Sequence, residues 1–220
     1  MLKNLIIIGT GGVGRESALI VEDINKVNKE WNLLGFVDDN KDKHNTIVNG
    51  YEVLGGLDYI LEYPEEVYVV CGIANYHIKK SIIEKIIKTN LKVKFANLIH
   101  PSVNLNHTVS IGKGCIIYAN SIITANINIG NHVIVSPKCG IGHDSIIDDY
   151  CTLLWNVNVS GNVHLQEGVT MGSGSTIIQG LNVGSGSFVG AGAVVIRDIK
   201  EESIAVGVPT RYVEKIGVKI

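Results

Sequence analysis

The chain has 220 residues, 45% of them hydrophobic, and 19 Lys and Arg against 21 Asp and Glu give a formal net charge of -2 at pH 7. This near-neutral balance argues against nucleic acid or an anionic membrane as a partner. The sequence shows neither a secretory leader nor an apolar stretch approaching the ~18 residues of a membrane span. We therefore expect a soluble cytoplasmic protein without membrane insertion.

The first predicted unit is a strand at residues 2–8, a glycine-rich turn at 9–14 and a helix from Arg15 to about Lys29. The turn matches Gly-x-Gly-x-x-Gly in the strand-turn-helix context that lets helix amides bind phosphate. A turn used only for packing stays an open alternative. The substrate-binding residues predicted here are Gly9, Gly11, Gly12 and Gly14.

Further strands are predicted at residues 33–37, 67–71 and 92–96, with a helix at 78–88 and a short excursion at 53–56. Asp38 and Asp39 follow the second strand, where carboxylates accept hydrogen bonds from sugar hydroxyls, and Asn75 ends the turn after the third. Fewer than 100 residues hold only one mononucleotide-binding half of a doubly wound fold. This favours a phosphorylated or nucleotide-linked ligand over NAD.

The second part of the chain has an apolar residue at every sixth position from Ile99 to Val195, seventeen times in one phase. We call these positions the anchors. A period of six predicts a solenoid with one short strand per hexad. Residues two before each anchor are small or aliphatic and should point inward. Residues after the anchors are often glycine or a short polar residue, types that tolerate tight corners and positive φ.

The cysteines fit this interior. Cys115, Cys139 and Cys151 lie two residues before anchors and Cys71 lies in an apolar run, so we expect all four to be buried reduced thiols.

This pattern resembles the hexapeptide-repeat acyltransferases, whose left-handed parallel β-helix has eighteen residues per triangular coil. With its N-terminal part, the chain resembles the sugar acetyltransferases that include sialic acid O-acetyltransferases and bacillosamine or perosamine N-acetyltransferases. The resemblance implies an α/β Rossmann-like half domain at 1–98 that holds the nucleotide or sugar portion of the acceptor. An all-β left-handed parallel β-helix at 99–206 and a tail at 207–220 follow. It also implies a homotrimer with active sites between adjacent β-helices.

The same resemblance assigns a catalytic pair. His143 would be the general base, because imidazole can accept a proton at neutral pH, and Asp144 would orient it. Gly161, eighteen residues later, would stack beside His143 and offer its amide to the oxyanion. Two family histidines are replaced here, by Val13 in the glycine turn and by Thr152.

The closing glycine-rich segments resemble those that bind acetyl-CoA, the implied co-substrate. The predicted cofactor-binding residues are Gly172, Ser173, Gly190, Ala191, Arg197, Pro209 and Arg211.

Two other functions stay open. One is a trimeric β-helix scaffold without catalysis. The other is a zinc carbonic anhydrase, which needs three converging imidazoles; the candidates His107, His132 and His143 lack a close pair, so no metal site is predicted. The sequence also leaves open amine or hydroxyl acceptor, the sugar and the nucleotide.

Overall fold

A computed structural model describes residues 2–213 of the chain. It divides into two compact units, Met1–Pro101 and Ser102–Ile220, near the boundary expected at 98/99. Residues 214–220 of the expected tail lie outside the described residues.

The N-terminal unit is built on a six-stranded sheet in the order β3-β4-β2-β1-β5-β6. The strands are parallel except for the β3–β4 hairpin. The strands are β1 (Lys3–Ile8), β2 (Trp31–Val37), β3 (Ile47–Val48), β4 (Tyr51–Gly55), β5 (Val67–Cys71), β6 (Val93–Phe95) and, outside this sheet, β7 (Leu98–Ile99). The helices are α1 (Gly12–Val27), α2 (Asp58–Leu61) and α3 (Tyr76–Thr89), with a 3₁₀ turn at Lys41–Lys43.

The expected α/β order is present, with shifted boundaries. Helix α1 begins at Gly12, inside the glycine turn, and ends at Val27. Residues 53–56 are not an excursion: Val53 is fully buried in β4, where it pairs with Phe36 of the neighbouring strand. Helix α3 begins earlier than expected because the Asn75 side chain accepts a hydrogen bond from the Ile78 amide at 3.0 Å and caps it.

The second unit is a β-helix with one two-residue strand per hexad. The strands are β8 (Ser110–Ile111), β9 (Ile116–Ile117), β10 (Ile122–Ile123), β11 (Asn128–Ile129), β12 (Ile134–Val135), β13 (Gly140–Ile141), β14 (Ile146–Ile147), β15 (Thr152–Leu153), β16 (Asn158–Val159), β17 (His164–Leu165), β18 (Thr170–Met171), β19 (Thr176–Ile177), β20 (Asn182–Val183), β21 (Phe188–Val189) and β22 (Val194–Val195). Strands β23 (Ile204–Val206) and β24 (Arg211–Val213) form an antiparallel closing pair.

These strands form three faces. The first face contains β8, β11, β14, β17 and β20; the second contains β9, β12, β15, β18, β21 and β23; the third contains β10, β13, β16, β19 and β22. From β8 to β22, partners lie eighteen residues apart, as in Ile122 with Gly140 and Gly140 with Asn158. The eighteen-residue coil is thereby confirmed, and the fold is the expected left-handed β-helix. Among the anchors, only Leu105 lies outside a strand of the described chain.

The interior of the β-helix is mostly apolar, and it also contains the thiol and hydroxyl groups of small side chains, which donate hydrogen bonds. Every anchor from Ile117 to Val195 is buried. The expected thiols are buried and reduced. Cys139 Sγ donates to the Leu154 carbonyl at 3.0 Å, and Ser145 Oγ makes the equivalent bond to Ser160 at 3.1 Å. Cysteine and serine therefore fill one role, donating to a corner carbonyl fifteen residues ahead.

The positive φ angles of the β-helix do not fall on the glycines directly after the anchors. Positive φ occurs three residues after the anchors, at Gly114, Asn120, Asn126, His132, Lys138, Asp144, Tyr150, Asn156, Asn162, Gly168, Gly174, Gly180, Gly186 and Gly192. The glycines directly after anchors are instead required by close approach. A Cβ at Gly142 would lie 2.6 Å from the Gly161 amide nitrogen. These glycines do not have a positive φ, and the next coil occupies the place that a side chain would take.

Candidate active site

The N-terminal unit contains a cavity of about 540 Å³ at the carboxyl ends of β1, β2 and β5. Of the predicted substrate-binding residues, Gly9, Gly11, Gly12, Asp38 and Asp39 line it. Gly14 and Asn75 do not line it. Gly14 packs against Gly9, whose carbonyl occupies the place of a Gly14 Cβ, and Asn75 caps α3.

The four glycines of the turn differ in what requires them. Gly9 has a φ of 92°, and Gly14 has no room for a side chain. Gly11 and Gly12 have neither constraint, since nothing lies within 4 Å of a Cβ built on either residue. No side chain caps the α1 N-terminus that begins here. The bare backbone at Gly11 and Gly12 therefore leaves a helix N-terminus open to an anion.

A charged cluster borders this cavity. Asp38 accepts hydrogen bonds from the amide of Thr10 at 3.0 Å and from its hydroxyl, and from Lys43 Nζ at 3.2 Å. Burial by itself would raise the pKa of Asp38, but these bonds and that of the Asn40 amide lower the pKa to about 2. Asp38 thus holds Thr10 and Lys43 in place. Lys43 lies six positions from the predicted strand end, and the sequence pattern gave no signal for it.

The predicted catalytic pair lies at the corner between the third and first faces of the β-helix, directly after β13. His143 Nδ1 lies 2.7 Å from Asp144 Oδ2, and the His143 side chain is 53% exposed. Asp144 Oδ1 accepts a hydrogen bond from Asn126 Nδ2 at 3.0 Å. The His143 hydrogen bond, followed by that of Asn126, lowers the pKa of Asp144. A neutral His143 that donates its Nδ1 proton to Asp144 presents a lone pair on Nε2.

Gly161 lies directly under this ring, as its spacing of eighteen predicted. A Cβ on Gly161 would lie 2.5 Å from His143 Nε2, so any side chain at residue 161 would displace the ring. The amide of Asn162 donates to the His143 carbonyl at 2.7 Å and fixes the two coils relative to each other. The ring nitrogen opposite Asp144 therefore lies next to the Gly161 backbone.

Four of the predicted cofactor residues lie at a different corner. Gly172, Ser173, Gly190 and Ala191 stack in two coils between the second and third faces, at the edge of the third face opposite His143. The amide of Gly192 joins these coils by donating to the Ser173 carbonyl at 2.8 Å.

Arg197 and Arg211 line one cavity of about 350 Å³, with Thr210 and Tyr212, near the closing strands. Pro209 does not line it. Arg197 belongs to the same eighteen-residue column as His143 and Gly161, three coils on. At the strand spacing of ~4.8 Å this is roughly 14 Å along the axis.

Two further histidine–carboxylate pairs were missed from the sequence. His164 Nε2 lies 2.8 Å from Asp148 Oδ2, and His100 Nε2 lies 3.3 Å from Asp23 Oδ2. Finding the first pair requires the coil geometry, because sixteen residues separate its partners. Within residues 2–213, no group of three or more His, Cys, Asp or Glu side chains could hold a metal ion. No helix in this range is long and apolar enough to cross a membrane.

Comparisons with known proteins agree with this arrangement. The family model of the PglD N-terminal domain matches residues 4–86. The GDP-perosamine N-acetyltransferase of Escherichia coli O157:H7 is 31% identical over 175 residues, covering 79% of this chain and 77% of the relative.

Among solved structures, WeeI from Acinetobacter baumannii AYE superposes with a TM-score of 0.83 at 26% identity, covering 96% of this chain and 100% of the other. PerB from Caulobacter crescentus, solved with CoA and GDP-perosamine, has a TM-score of 0.77 at 24% identity, covering 97% and 99%. At this identity PerB supports the fold alone.

The stacked hexads and these relatives define the class, a hexapeptide-repeat acyltransferase. Within that class the chain belongs to the sugar acetyltransferase family and is an enzyme. Membership in this family removes the scaffold and carbonic anhydrase alternatives.

Proposed function

We propose that the protein transfers the acetyl group of acetyl-CoA to an amine of a nucleotide-linked sugar. The observation that carries the proposal is the exposed His143 ring, which is bound to Asp144 through Nδ1 and placed over Gly161 at Nε2. The relative of 31% identity is an N-acetyltransferase, which favours an amine over a hydroxyl as the acceptor group.

The chemistry follows from these positions. His143 Nε2 takes a proton from the neutral acceptor amine while the amine nitrogen attacks the thioester carbonyl. The C–N bond forms, the intermediate collapses, and the C–S bond breaks. The proton on His143 then passes to the departing CoA sulfur. Asp144 stabilises the imidazolium between these steps, because its carboxylate is held by both His143 and Asn126.

The oxyanion of the tetrahedral intermediate needs a donor that is already in place. We assign this role to the amide of Gly161, which lies beside the His143 ring. The absence of a side chain at Gly161 is required for the ring to occupy its position.

Acetyl-CoA would lie along the β-helix with its thioester at the His143 corner and its phosphates near Arg197 and Arg211. Gly172, Ser173, Gly190 and Ala191 would bind the pantetheine arm through backbone groups. Within one chain, these four residues lie at the edge of the third face opposite to His143. An active site shared by neighbouring chains of a homotrimer supplies both corners to one ligand.

The N-terminal cavity would bind the nucleotide or sugar portion of the acceptor. Gly11 and Gly12 leave the α1 amides accessible to a phosphate, and Lys43 adds a positive charge. Asp39 would accept a hydrogen bond from a hydroxyl group, while Asp38 holds Thr10 and Lys43.

The test is a CoA-release assay with acetyl-CoA against UDP-, GDP- and dTDP-linked amino sugars and free sialic acid. Transfer to at least one nucleotide-linked amine, with product carrying an amide, supports the proposal. Transfer only to hydroxyl groups, or none to any acceptor, contradicts it.

A further inference from the structure

One strand glycine of the β-helix stands out in the sequence. Among the residues directly before the anchors, from Leu98 to Val194, only residue 140 is glycine. The structure places Gly140 in β13 on the third face, paired with Ile122 in the coil before and Asn158 in the coil after.

The fold does not require glycine at this position. The φ angle of Gly140 lies outside the left-handed region, and a Cβ there would meet only Asn158 Oδ1, at an ordinary 3.7 Å. Gly142, two residues later, has no such room. Glycine inside a strand is less favourable than residues with a side chain, and it often marks a place where a ligand approaches closely.

The missing side chain leaves a groove of about 310 Å³. The groove is lined by Gly140, by the buried anchors Ile141 and Val159, and by Ile122, Thr124, Gly142, Asn158 and Ser160. Gly142 immediately precedes His143, so the groove reaches the corner that carries the proposed base. Its volume lies at the lower end of small-molecule sites, roughly 300–1,000 Å³.

The lining combines an apolar wall with hydroxyl and amide groups. Ile122 is 67% exposed and forms the apolar wall. Thr124 Oγ1 donates to the Ile141 carbonyl at 3.1 Å and Asn158 Nδ2 to the Asn156 carbonyl at 3.3 Å. Their oxygens can therefore accept hydrogen bonds from a ligand. A pyranose ring, with apolar C–H faces and a rim of hydroxyl groups, matches this chemistry.

We propose that this groove is the subsite for the sugar ring of the acceptor and that Gly140 determines which ring substituents fit. The inference rests on the proposed acetyl transfer and adds to it a residue that sets acceptor size. A ring seated over Gly140 presents its amine toward the adjacent His143 corner.

The test compares Gly140→Ala and Gly140→Val with the control Ser110→Thr. The control adds a methyl group at the same hexad position on the first face. Val194, in the same column as Gly140, shows that this face accommodates valine. The measurements are KM and kcat for GDP-perosamine and for the UDP- and dTDP-linked amino sugars, KM for acetyl-CoA, the unfolding midpoint, and the mass by light scattering.

Gly140→Val should lower kcat/KM for the acceptor by about 10- to 200-fold, and Gly140→Ala by less, because each added group takes space from the ring. KM for acetyl-CoA and the mass should stay at their wild-type values, and the unfolding midpoint should not fall. Ser110→Thr should resemble the wild type in every measurement.

Unchanged acceptor kinetics in Gly140→Val, with an active wild type, would overturn the subsite and leave the proposed function standing. A change confined to KM for acetyl-CoA or to the mass would also overturn it, assigning the groove to CoA or to another copy of the chain. A wild type inactive toward every acceptor would overturn both.

Discussion

His143 and Asp144 are neighbours in sequence, yet their geometry depends on a third residue in another coil. Asp144 has a φ of 60°, and its carboxylate contacts the His143 ring at 2.7 Å. Asn126, eighteen residues earlier, donates from its side-chain Nδ2 to the other carboxylate oxygen, and the backbone amide of Asn126 donates to Thr108 Oγ1 at 2.8 Å. The orientation of the proposed base therefore depends on a column of corner side chains.

Replacing Asn126 tests this dependence. Asn126→Gly should lower kcat by roughly 3- to 10-fold with little change in either KM, because it removes one hydrogen bond from Asp144. The measurement is steady-state acetyl transfer. Asn162→Gly is the matched control, since Asn162 occupies the same column with a φ of 54° against 56° for Asn126. Equal kinetics in the two variants would contradict the role of Asn126.

The lowered pKa of Asp38 predicts that the free energy of unfolding depends on pH. Its pKa in the folded chain is about 2, against an ordinary value of 3.8 for an aspartate. Since the folded pKa is the lower one, the stabilisation is present above about pH 4 and is lost as the pH falls toward 2. Asp38→Asn should cost about 2 kcal/mol at pH 7 and much less near pH 2. Denaturant unfolding of wild type and variant at several pH values measures this, and a pH-independent difference would count against it.

Among the elements of the β-helix, some glycines are required by the packing of the coils and others are not. A Cβ at Gly142 would lie 2.6 Å from the Gly161 amide, whereas Gly140 has room for one. Gly142→Ala should therefore cost roughly 1–3 kcal/mol of unfolding free energy, and Gly140→Ala should be neutral or stabilising. Thermal unfolding of both variants provides the comparison. The reverse order of stabilities would show that the corners do not pack as described.

Several elements could be predicted from local sequence. The anchor period gave the strands from β8 to β22, and an apolar run gave β5 with both of its ends. The Gly-x-Gly-x-x-Gly turn located the N-terminal cavity. These features depend on residues close in sequence or on one fixed period.

Other features required the three-dimensional coil. The positive φ three residues after each anchor falls on Asn, His, Lys, Asp and Tyr as well as Gly, so residue type gave no consistent signal. Strand β4 was missed because its pairing with β2 joins residues distant in sequence, Val53 with Phe36. The contacts of Asp144 with Asn126 and of His164 with Asp148 join different coils, and nothing local indicates them.

For the whole molecule, the proposal requires more than one chain per active site. The His143 corner and the corner of Gly172 and Gly190 lie on opposite edges of the third face. We therefore expect light scattering to give about three times the 23.7 kDa of one chain. A monomer that retains full activity would contradict the shared site.

The proposed position of the CoA phosphates predicts a substitution that changes KM for acetyl-CoA but not kcat. Arg197→Ala should raise KM for acetyl-CoA by about 10-fold, because it removes one cation from the phosphates, and should leave kcat nearly unchanged. Initial rates at varied acetyl-CoA measure this. Lys113→Ala, which removes an exposed cation from another corner, is the control. An unchanged KM in Arg197→Ala would place the phosphates elsewhere.

The central claim is that His143 removes the acceptor proton over Gly161. The most direct measurement is kcat of His143→Ala with the acceptor that the wild type converts fastest, in a preparation with the wild-type mass and unfolding midpoint. We expect kcat to fall by about 10²- to 10⁴-fold while KM for acetyl-CoA is preserved. A kcat within a few-fold of the wild type would contradict it.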